Sequence, residues 1–426
     1  MGYNRMRTPL MTMATMAATV MATVVEIDNA RPRRDRHGNI LNAHDGTLFQ
    51  HPLSRRYYLV GTSYTHCFMN SSTERFGATG KHFPNNPLSI PFAPACGFTN
   101  NDLALYSNEG PGNDGWTLEN PSLLPANQRP NGVYFRPKML YNALTGLFVL
   151  WFNFVALTLD DHKYCAANVS WPMMNFTSPF CNCTLGTATA RSVDGPFSLS
   201  KLPIAMGTSA LQQYPGHLHG DFALFEDTHH AQAYIVYNTY DKGIATSRNA
   251  VDLLSPDYQT STMQTSGYIE DDCHGAEAQA MVRRRGTYYV VSGRGCCFCP
   301  QGSSAMVHTA ASPLGPYVST GTNINGVTRR ASCDAAAHAI PAQQSFIVRL
   351  PDTSMGEEQW LWAGDRWQSG NERINGGNRS GDGMGLKSAD AMVWVRMEFT
   401  PDGADIKPLP HAWQTIWAVE IPQVAQ

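Results

Sequence analysis

The chain has 426 residues, of which 15% are charged and 10% aromatic, and its formal net charge is −3. This near-neutral balance gives no electrostatic basis for binding nucleic acid or an anionic membrane surface. The 36 glycines and 27 prolines interrupt short aromatic segments, which is typical of an all-β protein that can run long as one domain.

The N-terminal segment starts with M-G-Y-N-R-M-R and continues in Met, Ala, Thr and Val from Leu10 to Val25. Basic residues before a short apolar stretch are typical of a signal peptide, and a disordered leader is the alternative. The stretch is too short and too rich in Thr for a membrane span. We therefore expect a leader at residues 1–27, one domain at residues 28–426, and a secreted protein.

Cysteines and glycosylation sequons point to the same secretory route. The ten cysteines are Cys67, Cys96, Cys165, Cys181, Cys183, Cys273, Cys296, Cys297, Cys299 and Cys333. The five N-x-S/T sequons start at Asn70, Asn168, Asn175, Asn182 and Asn378. An even number of cysteines predicts disulfides in an oxidising compartment. Zinc is the competing interpretation of the Cys296–Cys299 cluster, but a clean second C-x-x-C motif is missing.

In chain order, a two-strand pattern recurs five times. The first-strand segments begin at Ala43, Phe135, Gly220, Ala276 and Ala342, and the aromatic second-strand segments begin at Arg55, Gly146, Ala231, Gly286 and Glu358. Third strands follow from Ala104, Gly186, Gly243 and Ala305. One such antiparallel unit cannot bury both of its faces, whereas radial packing of five units can. The repeat predicts a five-bladed β-propeller; a β-sandwich is the alternative, but it does not account for five copies.

Each first strand carries polar residues near its start, where the five strands of a propeller would meet at one mouth of the central channel. These residues are His44, Asp45, Arg136, Asp221, Glu277, Gln343 and Gln344. A carboxylate in a strand usually points to solvent, but Asp221 and Glu277 have small or apolar neighbours on both sides. A buried carboxylate requires a partner or a function. For His44, Arg136 and Gln344, a structural hydrogen bond to the next blade is the alternative.

Two carboxylates in an aromatic-rich site suit glycoside hydrolysis. One carboxylic acid must protonate the leaving oxygen, and a neighbouring carboxylate raises the pKa of that acid by repulsion. Tyr and Trp side chains provide flat surfaces for sugar faces. The sequence has no G-x-S-x-G elbow, no P-loop, no G-x-G-x-x-G after a strand and no H-E-x-x-H motif, so other chemistries fit less well.

Five motifs occur in one order along the chain: D-R-H-G-N-I-L-N-A-H-D-G, F-R-P-K-M-L-Y-N-A-L-T-G, G-D-F-A-L-F-E-D, A-E-A-Q-A-M-V-R-R-R-G-T-Y-Y-V-V-S-G, and A-Q-Q-S-F-I-V with W-A-G-D-R-W. Together they resemble glycoside hydrolase family 43, and most closely its exo-β-1,3-galactanase-like branch. The resemblance implies a five-bladed propeller and an inverting mechanism. It implies Glu277 as general acid, Asp221 as the residue that tunes and holds this acid, and Gln344, next to Gln343, as the residue that places the water. The residues that it implies near the substrate are His44, Phe135, Arg136, Gln343, Asp365, Arg366 and Trp367.

Three positions depart from the branch. Asp45 follows His44 where the branch usually has Gly, and we hypothesise that it restores a carboxylate near the position of the general base. Phe135 replaces a Glu that contacts the substrate in the branch, and Gln279 stands where the branch has Pro. The loss of the Glu is expected to change substrate choice.

The sequence therefore predicts a secreted glycoside hydrolase that removes a sugar from a plant- or alga-type polysaccharide or oligosaccharide, acting as a monomer. The alternatives are a carbohydrate-binding propeller without turnover, which Phe135 favours, and an arabinofuranosidase- or xylosidase-type activity. A protein-interaction propeller is disfavoured by the converging carboxylates. No cofactor is expected, and a structural calcium ion in the channel is left unassigned because the polar residues form no clear oxygen cage.

Overall fold

The computed structural model describes residues 22–64, 101–130, 132–156, 183–208, 219–241, 246–270, 277–294, 301–327, 338–367, 369–370 and 387–422. Residues 1–21 of the predicted leader, the five sequons and nine of the ten cysteines lie outside these ranges, so glycosylation and disulfides stay predictions. Cys183 is described, and its thiol is buried and free. No helix within the described ranges is long and apolar enough to cross a membrane.

The strands form five antiparallel sheets and one two-stranded ribbon. Blade I contains β2 (His44–Gln50), β3 (Tyr57–Ser63), β4 (Asp102–Asn108) and β5 (Thr117–Asn120). Blade II contains β6 (Gly132–Asn142), β7 (Leu147–Ala156), β8 (Thr184–Ala190) and β9 (Ser198–Lys201). Blade III contains β10 (His219–Asp227), β11 (Gln232–Asp241), β12 (Thr246–Leu254) and β13 (Ser261–Thr265).

Blade IV contains β14 (Glu277–Arg284), β15 (Thr287–Gly293), β16 (Met306–Ala310) and β17 (Val318–Asn323). Blade V contains β18 (Gln343–Leu350), β19 (Gln359–Arg366) and β20 (Ala391–Met397). The ribbon pairs β1 (Ala22–Asp28) with β21 (Ile416–Pro422), and short 3-10 turns lie at Ala126–Gln128 and Lys387–Ala389. Every predicted first and second strand is present, and the five-bladed β-propeller prediction is confirmed.

The second strand of each blade is buried on both faces, which explains its nearly continuous run of apolar residues. In β7, Phe148 and Leu150 pack in the cluster between blades I and II, while Val149 and Trp151 pack between blades II and III. Alternate side chains of a strand point to opposite faces, so neighbouring blades bury both sets. Full burial of an apolar side chain of this kind stabilises the fold by about 1.5–3 kcal/mol. One such apolar cluster fills each of the five blade interfaces.

The two ends of the described chain meet where blade V joins blade I. Ile27 of β1 and Val419 of β21 are fully buried in the cluster of that interface. Asn29 extends the edge of blade V, because its side chain donates to the carbonyls of Trp394 and Trp413 and accepts from Trp394 N. Strand β1 therefore includes residues 22–27, which the sequence analysis assigned to the leader, because their pairing with β21 and the burial of Ile27 make them part of the fold.

The five first strands, β2, β6, β10, β14 and β18, surround the central channel, and each packs against the first strands of the adjacent blades. Their N-terminal ends lie at one mouth, which places the predicted polar residues together.

Candidate active site

A β-bulge occurs at the same place in all five first strands. The regular pairing breaks between His44 and Thr47, Phe135 and Lys138, His219 and Phe222, Glu277 and Ala280, and Gln344 and Phe346. A bulge leaves residues without a ladder partner and redirects their side chains. The bulges therefore turn polar side chains and backbone groups toward the channel mouth.

The bulge geometry requires unusual backbone conformations at this mouth. Asp45, Arg136 and Ala278 each follow the last regularly paired residue, and their φ angles are 54°, 51° and 54°. Non-glycine residues are uncommon in this left-handed region, where such conformations cluster at functional sites. Gly46 has no room for a side chain, because a Cβ there would lie 1.8 Å from Val60 O.

Arg136 links the carboxylates of blades I and III. Its Nε lies 2.6 Å from Asp221 Oδ1 and its Nη2 lies 3.2 Å from Asp45 Oδ1. The Arg136 side chain is 4% exposed, so both contacts form away from bulk water. Its backbone N–H donates to Thr62 Oγ1, which fixes the bulge of blade II against blade I.

Asp221 also holds the start of β14, where Glu277 lies. Asp221 Oδ2 accepts a 2.8 Å hydrogen bond from the backbone N–H of Ala278. Glu277 is half-buried and is the last paired residue before the bulge of blade IV, opposite Gly293. The carboxylate of Asp221 thus fixes the backbone of the residue directly after the proposed acid.

The side chain of Gln344 forms hydrogen bonds to blades IV and V of the propeller. Its Nε2 donates to the carbonyls of Ala278 (2.6 Å) and Val291 (3.0 Å), and its Oε1 accepts from Trp362 Nε1 (2.9 Å). Both amide hydrogens are therefore used in joining blade V to blade IV. Gln344 supports the backbone beside Glu277 from the side opposite to Asp221.

Asp365, predicted as a substrate contact, is 1% exposed and accepts three internal hydrogen bonds. The donors are His44 Nδ1 (3.0 Å), Asp45 N (2.9 Å) and Ser345 Oγ. Burial alone would lower the pKa of His44, but the hydrogen bond and the charge of Asp365 outweigh it and raise that pKa. Burial opposes ionisation of Asp365, but His44 and the other donors hold its pKa below the usual value.

Asp45 lies among charges of both signs. Burial raises the pKa of Asp45, Arg136 counteracts this effect, and the carboxylates of Asp365 and Asp221 add to it. Tyr64 Oη donates to Asp45 Oδ2 at 3.2 Å. Asp45 Oδ1 is buried and pairs with Arg136, whose Nη2 lies 3.2 Å away.

Three other predicted residues lie around His44 and the end of β19. Trp367 is buried, donates from Nε1 to Gln343 Oε1 at 2.8 Å, and its ring centroid lies 5.6 Å from that of His44. Gln343 is also buried, and its side chain holds the indole of Trp367 through this hydrogen bond. Arg366 points elsewhere, with its guanidinium carbon 5.0 Å from the centre of the Trp413 ring.

Phe135 is the half-buried residue at the bulge of blade II, in the same structural position as Glu277 in blade IV. It packs beside Val133, Val155 and Cys183. At this position of the mouth, blade II has the apolar ring of Phe135, whereas blade IV has the carboxylate of Glu277.

Lys138 is a residue of the mouth that the sequence analysis missed. It is 2% exposed, and its Nζ donates to the carbonyls of Asp45 and Ser345 at 3.0 Å each and to the carbonyl of Gly46. A lysine inside the apolar strand segment F-R-P-K-M-L was the available signal. Burial and the neighbouring Arg136 lower the pKa of Lys138 to about 7.

Within the described ranges, no group of three or more His, Cys, Asp or Glu side chains could hold a metal ion. The Cys296–Cys299 cluster lies outside those ranges.

The His44–Asp365 pair predicts a pH-dependent stability. Because the pKa of His44 is raised on folding, its contribution is fully present below about pH 6.5, the unfolded value, and is lost as the pH rises through the folded value. We expect the difference in Tm between the wild type and His44→Gln to be largest near pH 6 and to shrink above it. Thermal denaturation from pH 5 to 8.5 measures this difference; a constant difference would contradict the pair's protonation.

No family model and no curated protein sequence matches the chain. Solved structures do match. An exo-β-1,3-galactanase from Clostridium thermocellum is 18% identical, with 92% of this chain and 68% of that chain covered and a TM-score of 0.57. An exo-β-1,3-galactanase from Phanerochaete chrysosporium with bound galactose is 18% identical, with 93% and 69% covered and a TM-score of 0.57.

A family 43 β-1,3-galactosidase with bound galactodeoxynojirimycin is also 18% identical, with 89% of this chain and 98% of that chain covered and a TM-score of 0.57. These matches agree with the resemblance that the sequence motifs indicated. The chain is therefore a five-bladed β-propeller similar in fold to those of the family 43 β-1,3-galactanases.

Proposed function

We propose that the protein is an inverting, exo-acting glycoside hydrolase with Glu277 as its general acid. The supporting observation is that Asp221 and Gln344 bind the N–H and the C=O of Ala278, directly after Glu277, from two different blades. Two independent polar contacts hold the start of β14 at the channel mouth. Catalysis needs such a fixed acid, because an error of about 1 Å in position costs on the order of 10²-fold in rate.

Asp221 also has an electrostatic role in this proposal. Its carboxylate lies one residue from Glu277 through the Ala278 contact, and a nearby negative charge favours the protonated form of an acid. In the proposed mechanism, Asp221 favours the protonated form of Glu277, which gives its proton to the leaving oxygen. Arg136 balances the charge of Asp221 and sets its orientation.

Asp45 is the proposed general base. Both amide hydrogens of Gln344 are donated to backbone carbonyls, whereas Asp45 brings a carboxylate to the mouth, with its Oδ1 paired to Arg136. A base on the far side of the sugar from the acid would leave room for the attacking water, as inversion requires.

The variant Asp45→Asn tests the base. We expect kcat to fall by about 10²–10⁴-fold, because the amide cannot accept the proton of the attacking water. Tyr64→Phe is the matched control: it removes one hydrogen bond to Asp45 but leaves the carboxylate, so kcat is expected to fall by less than about tenfold. Full activity of Asp45→Asn would remove Asp45 from the mechanism.

The proposed substrate is a β-1,3-linked galactan-type chain of a plant- or alga-type polysaccharide, hydrolysed by a secreted, monomeric enzyme. The support comes from the structural neighbours, which are described as exo-β-1,3-galactanases, one of them in complex with β-1,3-galactotriose. Phe135 favours a substrate that presents a C–H face, in place of a hydroxyl group, to blade II.

The experiment is a reducing-sugar screen of the purified chain against β-1,3-galactan, arabinan and xylan, with the first product observed by NMR. Release of α-galactose from β-1,3-galactan supports the proposal, because inversion converts a β-linkage to an α-product. Release of the β-anomer would contradict inversion, and release of arabinose or xylose alone would reassign the substrate.

A carbohydrate-binding propeller without turnover is the second candidate, favoured by the apolar Phe135. Galactan binding by the wild type with no reducing sugar released would support this candidate over the enzyme.

A further inference from the structure

Lys138 lies where two bulges leave backbone carbonyls without ladder partners. The pairing breaks between His44 and Thr47 in blade I and between Gln344 and Phe346 in blade V. The carbonyls of Asp45, Gly46 and Ser345 converge from these bulges on the Lys138 ammonium of blade II. Buried carbonyls need a donor or a cation, so this group completes the structure of both bulges.

The donor and acceptor numbers match. A lysine ammonium has three N–H donors and no acceptor, and three carbonyl oxygens surround this one. Among the described ion pairs, none joins Lys138 to a carboxylate, so its direct contacts are backbone dipoles. Cages of backbone carbonyls also bind free cations such as K⁺ and Ca²⁺ in proteins.

Asp365 contacts the same two bulges by accepting hydrogen bonds from Asp45 and Ser345. It accepts from Asp45 N and Ser345 Oγ, while Lys138 donates to the carbonyls of those two residues. One anion and one cation, from blades V and II, therefore fix Asp45 between them. The left-handed backbone of Asp45 is held by both.

We propose that the Lys138 ammonium is a tethered cation that occupies, in place of a metal ion, a carbonyl cage in the propeller channel and thereby positions Asp45. Lys138 contacts the backbone of Asp45 and so fixes the conformation of that residue. The inference depends neither on the identity of the sugar nor on the proposed reaction, because the cage is defined by backbone contacts.

Chemical rescue of Lys138→Ala tests the cage. The substitution removes Cγ, Cδ, Cε and Nζ, which together have the size of propylammonium. At pH 6, below the Lys138 pKa of about 7, we expect Tm to fall by about 5 °C, because buried carbonyls lose their donors. Propylammonium at about ten times its Kd should restore about 2 °C. Wild-type Tm should not respond to it.

Two probes separate a cation site from the filling of a cavity. 1-Propanol has the same shape without the charge, and tetramethylammonium has the charge without N–H donors. Recovery with propylammonium and with neither control supports the proposal. Equal recovery with 1-propanol would reduce Lys138 to a packing residue and overturn it.

A comparison of Lys138→Met with the wild type remains informative even if Lys138→Ala does not fold. The Met side chain keeps most of the length but has no donor, so we expect a similar loss of Tm without rescue. A Lys138→Met protein as stable as the wild type would overturn the proposal. So would a metal ion bound to Asp45 O, Gly46 O and Ser345 O in wild-type crystals soaked in calcium.

Discussion

Glu277→Gln is expected to lower kcat on a polysaccharide substrate by about 10²–10⁴-fold, because the amide has no proton to give to the leaving oxygen. Binding should remain, since Gln has nearly the same size and polarity. The loss should shrink on a 2,4-dinitrophenyl glycoside, whose leaving group departs without protonation. Steady-state kinetics on both substrates, with sugar binding by calorimetry, measure the three effects.

The matched control is Glu226→Gln on β10. Glu226 accepts a hydrogen bond from Tyr258 Oη at 3.2 Å and lies near the end of the strand opposite to the mouth. It should keep wild-type kcat on both substrates. If Glu277→Gln loses activity equally on the two substrates, Glu277 is not the acid, and unchanged turnover would refute its role altogether.

Asp221→Asn is expected to lower kcat by about 10²-fold with a smaller change in KM. The amide is the same size but uncharged, so Arg136 loses its 2.6 Å ion pair and Ala278 N loses its charged acceptor. Hydrogen bonds to charged groups contribute about 1.5–3 kcal/mol each, and about 1.4 kcal/mol corresponds to tenfold in rate. If Asp221 favours the protonated form of Glu277 as proposed, the alkaline limb of the kcat profile should also move to lower pH in this variant.

Asp227→Asn on the same strand separates catalysis from stability. Asp227 is buried at the far end of β10 and accepts hydrogen bonds from Tyr288 Oη and His229 N, with His230 Nδ1 at 2.8 Å. Both variants should lower Tm, but only Asp221→Asn should change kcat and its pH profile. If the two variants behave alike, Asp221 serves the fold alone.

The blades could be predicted from the sequence because their pattern is local. A segment such as L-F-V-L-W-F in β7 is apolar at every position because neighbouring blades bury both of its faces, and the flanking polar turns delimit it. Asp221 and Glu277 could also be singled out, because a carboxylate between small and apolar residues is conspicuous without knowledge of distant contacts.

The β-bulges decide which polar side chain of each first strand points into the channel mouth. Glu277 is the last paired residue before its bulge, whereas Asp221 is the last residue within the bulge of blade III. The sequence analysis placed both residues only near the start of their first strands. Because a bulge inserts a residue without altering the apolar pattern on either side, the sequence does not reveal which position faces the neighbouring blade.

The sequence by itself therefore determined the five repeats, the propeller and the residues from which the mouth is built. Only the tertiary structure decided their partners: Gln344 and Asp365 are committed to the scaffold, Arg136 joins two carboxylates, and Lys138 holds three carbonyls. The reason is physical. Strand periodicity is set by near neighbours along the chain, whereas a buried polar group takes its partner from backbone and side chains that the closed ring brings within hydrogen-bond distance.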